Sequence, residues 1–165
     1  MSAAAYEITS PFPEEHLPLM WGWLAEFHDQ MVDDSSPKTF AEMVEKNKRD
    51  LAAGAKVYAV LGQDRVPVGV VCAEHIGDQM YLGHLVFDRY TLSGIEKMAA
   101  TRIALRRMFA AGARKVIWQV FDDNRAFLIF LRRLGADIEG HLRDGARRDG
   151  KLVDIVLMAS FQGDK

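Results

Sequence analysis

The chain has 165 residues, 49% hydrophobic and 27% charged, so we expect one core and one domain over residues 1–165. No stretch approaches the roughly 18 apolar residues of a membrane-spanning helix, no signal-peptide pattern opens the chain, and the single cysteine, Cys72, excludes an internal disulfide, so we expect a cytoplasmic protein with no membrane partner. The formal net charge of -2 and the lack of a basic run disfavour a nucleic-acid partner.

The first third of the chain predicts one short strand and two helices. The strand covers Tyr6–Thr9, and two prolines separate it from the first helix. The residues on one face of that helix are Leu17, Met20, Trp21, Leu24, His28 and Met31. Thr39 followed by Glu42 predicts a capping box for a second helix, which Gly54 ends.

Three aromatic residues of the first helix, Trp21, Trp23 and Phe27, have alternative uses. They could line an acceptor pocket or close a homodimer contact. Because Trp21 and Trp23 are two residues apart, they do not share one helix face. We expect at least Trp21 to pack in the core and one of the pair to be available for contact.

The middle of the chain changes to the period of β-strands. Three strand-like runs, KVYAVL, RVPVGVVCAEHI and QMYLGHLVF, are separated by the turn signals Gly62–Asp64 and Gly77–Asp78. We expect these runs to form an antiparallel meander.

The last part of the chain alternates helices and strands. A helix runs to Gly112, and the apolar run KVIWQVF follows as a strand. Asp122 or Asp123 can cap a last helix, which ends at Gly135. The final strands, ADIEGHLR and KLVDIVLMAS, flank the turn GARRDG.

The order of these elements resembles the GNAT acyltransferases, the Gcn5-related N-acetyltransferases. The segment from Asn124 to Ala159 is similar to the pattern N-x(6)-Y-x(3)-G-F-x(2)-EG-x-LR, followed by D-G and D, of members that acetylate protein N-termini and small amines. The positions in register are Asn124, Gly135, Glu139, Gly140, Leu142, Arg143, Gly150 and Asp154. The resemblance implies an α+β fold with a mixed, mostly antiparallel sheet of six or seven strands and four flanking helices.

The resemblance also implies acetyl-CoA, or another acyl-CoA, as the cofactor. In GNAT proteins the pantetheine arm lies between two splayed strands, here QMYLGHLVF and KVIWQVF. The pyrophosphate rests on backbone amides at the start of the following helix, and the amide of Val86 would polarise the thioester carbonyl. An arginine-rich second part of the chain would suit the phosphates: residues 1–100 carry 15 acidic and 8 basic side chains, and residues 101–165 carry 8 and 13.

The family signature of the phosphate turn, [QR]-x-x-G-x-[GA], can be aligned with this chain in two registers, and neither matches at every position. One starts at Arg89 and places Leu92 at the glycine position; the other starts at Thr91 and places Gly94 there but Glu96 beside the phosphates. We prefer the second register, because Val86, Gly94 and Ile95 then match V-x(7)-G-I. The predicted coenzyme-binding residues are Val86, Thr91, Leu92, Ser93, Gly94, Ile95, Glu96 and Asn124.

The same turn also has a structural interpretation. Ser93 and Glu96 have the spacing of a capping box, in which the serine hydroxyl accepts from the Glu96 amide and the Glu96 side chain accepts from the Ser93 amide. A helix that is capped in this way satisfies its own amides and needs no phosphate.

The catalytic candidates are His84 and Glu74, one of which would take a proton from the amine. His84 lies two residues before Val86 and therefore on the same strand face; Tyr81 is the other polar residue nearby. The structural alternatives are a strand histidine satisfied by a neighbour and a glutamate solvated near a turn. No spacing typical of metal ligands is present, so we expect no metal site.

The resemblance leaves two functions open. The first is an acyl-CoA-dependent N-acyltransferase whose partner is an amine acceptor, a protein or a small molecule. The alternative is a catalytically inactive GNAT-like structural or binding protein, for example a phage virion component. The alternative is supported by the capping box, by Leu92 and by Leu131 together; Leu131 occupies the position where many GNAT members have a tyrosine as general acid.

Overall fold

Seven strands form one sheet in the computed structural model, which describes residues 6–27 and 32–163. The strands are β1 Glu7–Thr9, β2 Lys56–Leu61, β3 Pro67–Gly77, β4 Met80–Phe87, β5 Lys115–Phe121, β6 Asp137–Arg148 and β7 Lys151–Phe161. Their spatial order is β1-β2-β3-β4-β5-β7-β6. Within the described residues, β4 and β5 are the one parallel pair, and the other five pairs are antiparallel.

Four α-helices flank the sheet within the described residues. They are α1 Leu17–Glu26, α2 Phe40–Ala52, α3 Gly94–Ala110 and α4 Arg125–Leu134. The first helix therefore stops earlier than its apolar pattern predicts, and His28 and Met31 lie outside the described residues. No helix among the described residues is long and apolar enough to cross a membrane.

Alternating strand residues enter two cores on opposite faces of the sheet. Val57 and Ala59 pack with buried residues of α1 and α2, whereas Tyr58 and Val60 pack with those of α3 and α4. A strand buried on both faces needs such a continuous apolar run, and KVYAVL provides it. The sheet is thus the middle layer of three.

The two tryptophans of α1 depart from the prediction. Trp23 is 7% exposed, and the half-buried Trp21 packs against the same core and edge-to-face on Phe40, with ring centroids 6.5 Å apart. Both side chains therefore pack in the core between the sheet, α1 and α2. A helix that contacts both a sheet and a second helix can bury more than one of its faces.

The helix caps are partly those expected. Thr39 accepts from the Glu42 amide at 3.2 Å, but the Glu42 carboxylate accepts from the Lys38 amide at 2.7 Å, so the predicted capping box is only half formed. Asn124, and not Asp122 or Asp123, caps α4 by accepting from the Phe127 amide at 3.1 Å.

The last hairpin is longer than predicted. β6 continues through Arg148, and its turn consists of Asp149 and Gly150, both with positive φ. The residues GARR therefore belong to the strand, where the register with β7 shifts between Leu142 and Ala146. A bulge of this kind allows the strand to continue past residues that read as a turn.

Candidate active site at the opening between β4 and β5

The strands β4 and β5 separate halfway along their length. Their pairing runs from Met80 opposite Lys115 to Gly83 opposite Trp118. Beyond this point β4 stays paired with β3 up to Phe87, and β5 stays paired with β7 over all seven of its residues. An opening therefore lies between the carboxyl ends of the two parallel strands.

The close pair at the narrow end depends on a glycine. A Cβ on Gly83 would lie 2.7 Å from the ring of Trp118 and 2.7 Å from Cγ1 of Val116. The indole is fully buried, and its Nε1 donates to the hydroxyl of Ser160 at 3.1 Å. Trp118 is thereby fixed against Gly83 at the point where the strands begin to diverge.

The hydrogen bonds between β3 and β4 determine which backbone amides of β4 face the opening. The Asp88 amide donates to the Val68 carbonyl at 2.8 Å. Because amides alternate between the two sides of a strand, the amide of Val86 also points to β3, and those of Leu85 and Phe87 point into the opening. This corrects the assignment of the Val86 amide as the donor to a thioester.

The segment between β4 and α3 is organised by Asp88. Its Oδ1 accepts from the amides of Tyr90 and Thr91, at 2.9 and 2.8 Å, and from the Thr91 hydroxyl at 2.6 Å. The hydrogen bond from that hydroxyl lowers the pKa of Asp88. Leu92 is 6% exposed and packs in the α3–α4 core, so a buried side chain holds the turn where the family signature has a glycine in the first register.

The first turn of α3 has the predicted capping box. Ser93 Oγ accepts from the Glu96 amide at 3.3 Å, and Glu96 Oε2 accepts from the Ser93 amide at 2.8 Å and from its hydroxyl at 2.7 Å. These contacts lower the pKa of the Glu96 carboxyl. Gly94 and Ile95 supply amides that have no carbonyl acceptor inside the helix.

The surface above Gly94 is open. A Cβ added there would meet no atom within 4 Å, and Ile95 beside it is 82% exposed. The start of α3 therefore leaves room for a group that approaches the backbone directly, and the helix dipole makes this a favourable place for an anion.

His84 and Glu74 are in contact at the narrow end of the opening. His84 is the first β4 residue beyond the last β4–β5 pair, and its Nε2 lies 3.2 Å from Oε1 of Glu74 on β3. Both side chains are on the sheet face covered by α1 and α2, because Val86 and Cys72, each two residues away along its strand and so on the same face, pack in that core. The structure thus brings the two predicted catalytic residues together.

A third residue, Lys46 of α2, joins this pair and was not predicted. Its Nζ lies 2.5 Å from the same Oε1 of Glu74 and 2.6 Å from Oδ2 of Asp50. The contact with His84 and the Lys46 ammonium together lower the pKa of Glu74 to about 2, although burial alone would raise it. Glu74 is therefore an anion at neutral pH and a weak base.

Comparison with solved structures shows the fold. The chain is similar to the spermidine N-acetyltransferase from Vibrio cholerae in complex with CoA and spermine, with a TM-score of 0.83, 14% identity and 98% of each chain covered. It is similar to a GNAT superfamily phosphinothricin acetyltransferase from Sinorhizobium meliloti in complex with acetyl-CoA, with a TM-score of 0.80, 16% identity and coverage of 96% and 89%. It is also similar to the ribosomal-protein-S5-alanine acetyltransferase from Vibrio fischeri, with a TM-score of 0.75, 16% identity and coverage of 99% of this chain and 97% of that one.

The fold is that of the GNAT acetyltransferases. The expected mixed sheet with four flanking helices is confirmed. No family model and no curated protein sequence matches the chain, so the resemblance to GNAT proteins now stands on the three-dimensional arrangement together with the C-terminal pattern.

Two positions expected from the GNAT pattern lie after β5. Asn124 lies three residues after the end of β5 and caps α4. The helices α3 and α4 thus follow the two strands of the opening, β4 and β5, in the chain. Leu131 is fully buried in the α3–α4 core. It packs as an ordinary core residue and offers no proton to a leaving group.

The segment between α1 and α2 is tied to the last hairpin, a contact that the sequence did not indicate. The Asp34 carboxylate accepts from the amides of Asp149 and Gly150, each at 3.0 Å. The Asp34 amide donates to the Arg147 carbonyl at 2.7 Å. The dipeptide Asp149-Gly150, typical of a two-residue hairpin turn, predicted the turn itself but not its partner.

A groove of about 620 Å³ lies elsewhere on the GNAT fold. It is bounded by Leu19 and Trp23 of α1, by the β2–β3 turn at Asp64, and by Asp88 and Thr91 after β4. Its lining includes Thr91 and Leu92 of the turn before α3 but no residue of β5, so the groove adjoins that turn and does not extend to the second strand of the opening.

Proposed function

We propose that the protein is a cytoplasmic acyl-CoA-dependent N-acyltransferase that moves an acetyl group from acetyl-CoA to a primary amine of a protein or small molecule. The observation that carries the proposal is the opening between β4 and β5 with His84 at its narrow end. Two similar structures support this pair of substrates, because one is described in complex with CoA and spermine and the other with acetyl-CoA.

The residues around the opening fit a coenzyme of this kind. The amides of Leu85 and Phe87 face the opening and would donate to the pantetheine arm. The amides of Gly94 and Ile95, at the positive end of α3, would hold the pyrophosphate, and the open space over Gly94 admits it. Asn124 would contact the coenzyme from the other side of the opening.

The chemistry requires the coenzyme's thioester and one base from the protein. The thioester supplies an activated acyl carbon: the amine nitrogen forms a bond to it, the carbon–sulfur bond breaks, and the thiolate leaves and takes up a proton. His84 accepts the proton that the amine loses. Because Leu131 cannot donate, the thiolate takes its proton from water. A tyrosine acid at this position would contribute about 10²- to 10⁴-fold, so its replacement by leucine predicts a slow enzyme.

The proposal is tested first by binding and then by turnover. Titration calorimetry with CoA measures affinity, and thiol release from acetyl-CoA with spermidine, lysine or a peptide amine as acceptor measures transfer. We expect His84→Gln to lower kcat by about 10²- to 10⁴-fold while CoA affinity stays unchanged. The absence of both heat and a thermal shift at millimolar CoA would contradict the proposal.

A second candidate is a GNAT-like binding or structural module without catalysis. The capping box favours it, because Ser93 and Glu96 already use two of the amides that a phosphate would need. Turnover of acetyl-CoA that is lost in Gly94→Glu eliminates this candidate, whereas a wild-type protein that folds but does not bind CoA supports it.

A further inference from the structure

We propose that Lys46 is a positioning residue for the reaction: it holds the Glu74 carboxylate in the orientation that keeps the hydrogen of His84 on Nε2 and leaves Nδ1 as the proton acceptor. The inference rests on the proposed function, because it names the atom that takes the amine proton. It adds a residue of α2 to a site otherwise built from two strands.

One carboxylate oxygen is the centre of the arrangement. Oε1 of Glu74 lies 2.5 Å from Nζ of Lys46 and 3.2 Å from Nε2 of His84. Nζ of Lys46 also contacts Asp50 one helical turn further along α2. Lys46 therefore connects the helix to the strand and fixes where Oε1 lies, while Asp50 fixes where the ammonium lies.

The charge state of Glu74 decides which nitrogen of His84 carries the hydrogen. With its pKa lowered to about 2 by the His84 contact and Lys46, the carboxylate accepts hydrogen bonds and donates none. The hydrogen at this contact must then be on Nε2, and in a neutral imidazole the other nitrogen is the acceptor. Nδ1 is thus the atom available to a substrate amine.

The other groups beside His84 do not compete for this role. Cys72 lies directly opposite His84 in the β3–β4 ladder, and burial raises the pKa of its thiol to about 12, so it stays a neutral thiol. Within residues 6–27 and 32–163, the side chain of His84 makes its polar contact through Nε2, with Glu74. A single contact therefore sets the tautomer.

The test reads the tautomer in the free protein and the rate separately. Nitrogen-15 NMR of His84 above pH 8 should show a protonated Nε2 and an unprotonated Nδ1 in the wild type, and a mixture of tautomers in Lys46→Met. We expect kcat to fall about tenfold in this variant with little change in the amine KM, a part of the contribution of a well-placed base. Lys46→Arg, which keeps the cation, should restore both the spectrum and kcat.

Lys48→Met is the matched control, because it makes the same change on the same helix. Lys48 pairs with Glu45 at 3.2 Å and is 59% exposed, so its loss should leave the spectrum and kcat unchanged. A Lys46→Met spectrum identical to the wild type overturns the inference, whatever the rate. A changed spectrum in a protein that transfers no acetyl group removes the proposed function and leaves the effect of Lys46 on His84 in place.

Discussion

Ser93 and Glu96 bind each other across the first turn of α3, with the Glu96 carboxylate 2.8 Å from the Ser93 amide and the Ser93 hydroxyl 3.3 Å from the Glu96 amide. The carboxylate occupies the end of the helix where an incoming phosphate would find the same dipole. Stability of the helix and affinity for an anion therefore oppose each other at this one side chain.

We expect Glu96→Ala to bind CoA more tightly and to melt at a lower temperature than the wild type. Removal of the carboxylate relieves repulsion of the phosphates but also removes half of the cap. Glu96→Gln separates the two effects, because it keeps an acceptor for the Ser93 amide and loses only the charge. Calorimetry with CoA and a thermal melt measure both, and weaker CoA binding in both variants would contradict a phosphate site here.

Gly94→Glu should fold as well as the wild type and lose CoA. A Cβ added at Gly94 meets no neighbouring atom within 4 Å, a non-glycine residue at a helical position restricts the unfolded chain, and a carboxylate near the start of a helix is favourable. The same carboxylate would repel a pyrophosphate. Thermal melts followed by circular dichroism check the stability, and titration with CoA checks the loss of binding.

Gly94→Ala is the control for the size of that substitution. It adds a Cβ without charge, so CoA affinity should fall much less than in Gly94→Glu. Equal losses in the two variants would indicate that close approach of the backbone, and not charge, governs the site.

The sheet and most helix ends could be predicted because their signals are local. Strand period, the helical spacing of apolar residues and glycines with positive φ, such as Gly112 and Gly135, each act within a few residues. The capping box at Ser93 and Glu96 belongs to the same class, since its two members are three residues apart. The structure confirms these features with small changes in their bounds.

The rest of the site depends on contacts between distant segments. Lys46 reaches a glutamate 28 positions away, and Asp34 reaches an amide 116 positions away. No local pattern states which strand α2 packs on, or which turn lies beside Asp34. The direction of the Val86 amide was missed for a related reason, because it follows from the register of β4 on β3 and not from the sequence of β4.

Gly83→Ala should destabilise the protein by about 1–3 kcal/mol. Its Cβ would overlap the ring of Trp118, which cannot turn away without breaking a buried hydrogen bond to Ser160. Gly140→Ala is a fair comparison, because a Cβ there meets nothing within 4 Å. Chemical denaturation of both variants gives the free energies of unfolding. Equal free energies for Gly83→Ala and Gly140→Ala would show that Trp118 can shift to accommodate the added Cβ at little cost.

The contribution of Glu74 to stability should depend on pH. Its pKa is about 2 in the folded protein and about 4.3 in an unfolded chain, so the stabilisation is fully present above pH ~4.3 and is lost as the pH falls towards 2. The difference in unfolding free energy between wild type and Glu74→Gln should shrink over this window. A difference that stays constant between pH 5 and 2.5, measured by urea denaturation, would contradict the ion pair.

The empty space above Gly94 has a consequence for how such proteins diverge. A Cβ at that position meets no neighbouring atom, so selection for folding alone does not preserve the glycine, whereas the proposed coenzyme site would. If the proposed function holds, one substitution would abolish transfer and leave an intact fold. Related proteins with and without transfer activity would then have similar melting temperatures and would differ at the position of Gly94.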